Sequence, residues 1–92
     1  MKISDIINEV SELYRKVNSE VYEMSREEIQ VAKQISEADY NKGTNITLAE
    51  YNRLKSEELR LCYEIDMLKA RRDGISEVRE MLMDLAFNAE VE

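Results

Sequence analysis

The stretch Asn41-Lys42-Gly43-Thr44-Asn45-Ile46-Thr47-Leu48-Ala49-Glu50-Tyr51 divides the chain into two long helical patterns and so decides the fold. Asn41, Gly43 and Asn45 tolerate the left-handed backbone that ends a helix. Thr47-Leu48-Ala49-Glu50 then reads as a capping box, in which the Thr hydroxyl accepts a bond from a backbone N–H of the new helix. Ile46 just before the cap and Tyr51 four residues after it are placed for a hydrophobic staple. The reading is a helix, a turn at 41–46, and a second helix.

Upstream of the turn, Ile3, Ile7, Val10, Tyr14, Val17, Val21, Met24, Glu28, Val31, Ile35 and Ala38 recur in alternating steps of four and three. That is a heptad seam with one charged interruption, and it predicts a helix over 3–40. Ile6 and Leu13 widen the seam, while Tyr22 and Ile29 lie on another face. Ser25-Arg26-Glu27-Glu28 also fits a cap, but the seam runs through it in phase. Downstream, Tyr51, Leu54, Glu58, Leu61, Ile65, Leu68, Arg72 and Ile75 form a second seam, predicting a helix over 47–89. After Ile75 the apolar pattern continues as Val78, Leu82, Leu85 and Ala89, with Val78 one residue early, so the phase slips beside Asp73-Gly74. A glycine inside a helix costs about 1 kcal/mol relative to alanine. The expectation is a continuous helix perturbed at 73–75, with a kink or a short third helix as the alternative.

A connection this short makes the two helices antiparallel neighbours. Facing residue numbers then add to 85 or 86 along the whole length, pairing Ile35 with Tyr51, Met24 with Leu61, Val17 with Leu68 and Val10 with Ile75. The expected fold class is all-α: one domain, residues 1–92, folded as a long, coiled-coil-like antiparallel helical hairpin. One seam is a thin core for a chain of this size. Leu59, Tyr63, Met67 and Ala70 form a second stripe on the second helix, matched by Tyr22 and Ile29 on the first. Association with further copies of the chain into a helical bundle is therefore expected.

Composition narrows the function classes. The 92 residues include no Pro, no Trp and no His, and the only glycines are Gly43 and Gly74. Without an imidazole, none of the common Ser-His or Cys-His nucleophiles can be built, and no glycine-rich phosphate loop is present. The expectation is a protein that is not an enzyme and needs no cofactor. Cys62 is the single cysteine and reads as a packing residue. No apolar run approaches the ~18–20 residues of a membrane span, and the first residues lack the apolar core of a signal peptide. A cytoplasmic location is expected, and the sequon Asn45-Ile46-Thr47 is discounted on that ground. The net charge is −7, and residues 73–92 hold six acids against Arg79 alone. Such a surface repels duplex phosphates, while Asp73, Glu77, Glu80 and Asp84 could meet a basic protein surface.

Two polar layers interrupt the seams. Glu28 and Glu58 fall in one layer and read as salt-bridged to Arg26, Lys55 or Arg60, or as register-setting, since no Glu-x-x-His pair accompanies them for a metal. Tyr14 and Arg72 fall in another, with Arg15, Lys16, Lys69 and Arg71 beside them. Guanidinium forks suit phosphate, and a Tyr ring can stack on a base. These six residues are the candidate ligand-binding set, for a small phosphate-bearing molecule such as a signalling nucleotide. The bases sit on several helix faces, so one pocket would need a second protomer. In size, acidity and all-helical build the chain resembles small phage-encoded inhibitors of host defence. That likeness of type implies either blocking of a protein surface or sequestration of a nucleotide signal.

Overall fold

A computed structural model describes residues 2–40 and 46–91. Helix α1 spans Ile3–Tyr40 and α2 spans Leu48–Val91, and the two lie side by side as an antiparallel hairpin. At 1.5 Å per residue they are about 57 and 66 Å long, which accounts for overall extents of 70 × 17 × 14 Å. Both helices are unbroken, α1 through Ser25 and α2 through Gly74. The expected left-handed positions at Asn41, Gly43 and Asn45 lie outside the described residues.

Thr47 caps α2 as the sequence requires. Its Oγ1 accepts a bond from the Glu50 backbone N–H at 3.1 Å, and its carbonyl accepts the first helical bond, from the Tyr51 N–H at 3.0 Å. Ile46 and Tyr51 are both half-buried at this end. The buried core consists of Val17, Val21, Ile35 and Ala38 from α1 and Leu61 and Ile65 from α2. All six are seam positions. The remaining seam residues are half-buried, because a partner on one side only leaves the edges of each layer open to water.

Three side-chain bonds tie the helices together along their length. Tyr51 Oη donates to Asp39 Oδ1 at 2.7 Å, Arg72 Nη1 to Asn18 Oδ1 at 3.1 Å, and Arg79 Nε to Ser11 Oγ at 2.8 Å. The three pairs of residue numbers share one sum, 90, so a single register holds from the turn to the free ends. The sum exceeds 85–86 in the direction that helix geometry dictates. Side chains lean toward their own helix N-terminus, so a long α2 side chain meets α1 closer to the turn than its Cα does.

The apparent slip after Ile75 is resolved differently from the sequence expectation. The inward face of α2 keeps its phase as Arg72, Ile75, Arg79, Leu82 and Ala86, all half-buried. Of the four apolar residues after Ile75, Leu82 lies seven on and keeps the inward phase, whereas Val78 and Leu85, each one residue early, and Ala89 are exposed. Arg79 fills the seam slot by laying its aliphatic stem along the interface while its guanidinium reaches Ser11.

The hairpin leaves unusual amounts of surface uncovered. Its accessible area is 7166 Å², against about 5,500 Å² for a compact monomer of 10.8 kDa. Its radius of gyration is 20.3 Å, against about 12 Å for a compact chain of this length.

Candidate functional site

Val78 and Leu85 belong to a second apolar stripe. On α2, Leu59, Tyr63, Met67, Ala70, Gly74, Val78, Met81, Leu85 and Ala89 follow one another in steps of four, four and three. All nine are exposed. An eleven-residue repeat corresponds to about 3.67 residues per turn, so the stripe drifts only about 20° per eleven residues along an α-helix, more gently than the heptad seam and in the opposite sense. The six largest side chains are between 49 and 72 % exposed. The stripe extends over about 45 Å at 1.5 Å per residue. Monomeric proteins rarely leave so large a contiguous apolar surface open, and such surfaces mark interaction sites. Leu59, Tyr63, Met67 and Ala70 were legible as its first half. The second half is hidden in the sequence because two apolar faces on one helix merge into apparently irregular spacing.

The borders of the stripe differ in charge. At 100° per residue, Asp66, Asp73, Glu77 and Asp84 fall along one side, and Arg60, Glu64 and Arg71 along the other. Arg60 is clasped by Glu57 at 2.5 Å and Glu64 at 2.8 Å. This pairing holds the Glu57 carboxyl below its ordinary value and raises the guanidinium further. Arg71 has no polar partner among the described residues. Glu80 is exposed beyond the acidic border. The exposed Tyr22 and Ile29 of α1 do not extend into a comparable stripe; Leu13 is the other exposed large apolar residue in the body of α1.

The six residues of the basic band occupy separate surroundings within one chain. Arg72 lies in the seam with its side chain 24% exposed, bonded to Asn18 and to Asp73 at 3.3 Å. Tyr14 is half-buried in α1. Arg15 is exposed and paired with Glu12. Lys16, Lys69 and Arg71 are exposed. On α2, Lys69 and Arg72 are about 60° apart around the helix, whereas Arg71 is about 100° from Arg72 and 160° from Lys69 and so faces another way. An open groove of about 430 Å³ lies on α1, lined by Arg15, Asn18, Ser19, Tyr22, Glu23 and Arg26. Arg15 is its only member from the band.

Neither Glu28 nor Glu58 forms an ion pair with Arg26, Lys55 or Arg60 among the described residues. Glu28 and Glu58 are both half-buried. Cys62, expected as a packing residue, is instead exposed, because its position on α2 lies off the inward face; partial desolvation pushes its thiol up, and the charges of Glu28, Glu58 and Asp66 push it further. The thiol stays protonated at neutral pH and is a poor nucleophile. Arg60, one of the bases expected to pair with Glu58, is engaged by Glu57 and Glu64 instead. Among the described residues no group of three or more His, Cys, Asp or Glu is arranged to hold a metal ion. No helix there is long and apolar enough to cross a membrane. Comparison with protein-family models, with curated proteins and with solved structures gives no match to this chain.

Proposed function

We propose that the chain is a non-enzymatic binding protein that works as an oligomer, an adapter or inhibitor that engages protein surfaces through the outer face of α2. The observation that carries this reading is the long, exposed apolar stripe from Leu59 to Ala89 with an acidic border. Apolar area supplies the affinity of such a surface, and the acids Asp66, Asp73, Glu77 and Asp84 supply orientation and selectivity for an occupant that presents bases opposite them. The 70 Å length gives the hairpin reach rather than an enclosed site. Native mass spectrometry of protein taken directly from cells tests the reading. It should return an assembly heavier than one 10.8 kDa chain; a bare single chain would refute the proposal.

Sequestration of a small phosphate-bearing ligand is a second reading, and it rests on the exposed bases Lys16, Lys69 and Arg71. Because Lys69 and Arg71 stand about 160° apart around α2, convergence of the three on one phosphate requires two copies. Calorimetry with mono-, di- and cyclic nucleotides tests this reading, and an absence of heat for the whole series removes it.

A further inference from the structure

We propose that the occupant of the α2 outer face is a second copy of the chain, with its α2 parallel to the first and crossing it at Gly74. This rests on the oligomeric reading above and adds the partner, its direction and the point of closest approach. The glycine is the first reason. A Cβ built on Gly74 would meet no atom of its own chain, so nothing in the hairpin accounts for a glycine in the body of a 44-residue helix. A helix crossing does account for it. Ala70 and Gly74 are the smallest consecutive pair on the stripe, one turn apart, with Tyr63 and Met67 on one side and Val78 and Met81 on the other. Two backbones can approach at the small pair while the larger side chains interdigitate above and below.

The second reason is length. A stripe of about 45 Å needs an equally long helix to cover it, and α2 itself is one. The third is charge. In a parallel two-fold pair the acidic border of each copy faces the Arg71 border of the other. An antiparallel pair would set Asp66, Asp73, Glu77 and Asp84 against the same four acids. The fourth is area. The six large stripe residues expose on the order of 100 Å² each, so a pair would bury roughly 600 Å² or more per copy before the borders are counted, close to the ~800 Å² per partner of a stable interface. Removing that much from each copy also brings the 7166 Å² surface toward that of a compact chain.

The test combines sedimentation equilibrium with cross-linking. Gly74→Leu improves helix propensity in a lone hairpin but blocks a close crossing, so the two effects have opposite signs. The expected result is a higher thermal midpoint for the dissociated protein together with self-association weakened at least ~10-fold. In a Cys62→Ser background, Ala70→Cys and Val78→Cys should each form a disulfide-linked dimer with itself on mild oxidation. A Gly74→Leu protein that associates as tightly as its parent overturns the crossing. Cross-links that form only when the two cysteine variants are mixed overturn the parallel direction. An oligomer that yields no cross-link in any combination overturns the occupant, leaving the stripe for a different protein. A parent that sediments as one chain at every concentration refutes the oligomeric reading itself.

Discussion

Leu61→Ala probes the thin core at its tightest point. Leu61 is 1% exposed and, with Val17, is the most completely buried large side chain of the hairpin. Leucine-to-alanine changes in cores cost about 2–5 kcal/mol, and the lower end applies where the site can collapse. A two-helix layer is open at its edges, so about 3 kcal/mol is the working figure here. A chain of 92 residues has a total stability of roughly 5–14 kcal/mol at 0.05–0.15 kcal/mol per residue. One truncation therefore removes between a fifth and more than half of it, and lowers the thermal midpoint by about 12–24 °C at 4–8 °C per kcal/mol. Leu59→Ala, two residues away and 72% exposed, is the matched control. Urea titrations followed by circular dichroism, repeated at two protein concentrations, separate folding from association. Leu61→Ala should shift the midpoint at both concentrations, whereas the effect of Leu59→Ala should be within about 0.5 kcal/mol at the lower one, chosen below the range in which the chains associate. A Leu61→Ala protein as stable as its parent would contradict the assignment of the inward face.

Thr47→Ala removes the acceptor for the Glu50 N–H and should cost about 1 kcal/mol, measurable in the same titration. Arg72→Glu replaces a half-buried donor to Asn18 with an acid beside Asp73. It should destabilise the hairpin by about 1–3 kcal/mol. Retained folding with lost nucleotide binding would instead favour the ligand reading. Tyr51 has its phenol pKa raised above the ordinary value, mainly by donating to Asp39. Its contribution should be complete below about pH 10 and fall away as the pH rises through the folded-state value. Tyr51→Phe should abolish that alkaline loss, as read by thermal melts between pH 8 and 11.

Much of the fold was legible because its signals are local and periodic. The Thr47 cap lies where the capping box placed it, and the α1 seam supplies four of the six buried residues. The extent of the outer face was harder to read. Val78 and Leu85 looked like a slipped seam because an apolar residue does not announce which face it serves when a helix carries two stripes. Arg79 gave no sequence sign that its stem would occupy the inner slot and its head would reach Ser11. Gly74 read as a weak point because propensity reports its cost within the helix and is silent about an approaching partner. The basic band does not converge within one chain, as its spacing already implied. Bases adjacent in sequence are about 100° apart on a helix, so Arg71 and Arg72 share a height and not a face.

Sedimentation equilibrium of the unmodified protein from about 1 to 100 µM tests the claim that the α2 face exists to be covered. The expected mass is at least that of two 10.8 kDa chains throughout that range, with dissociation when Met67 and Met81 are replaced by Glu. A parent protein that remains one chain of 10.8 kDa at the highest concentration would contradict it.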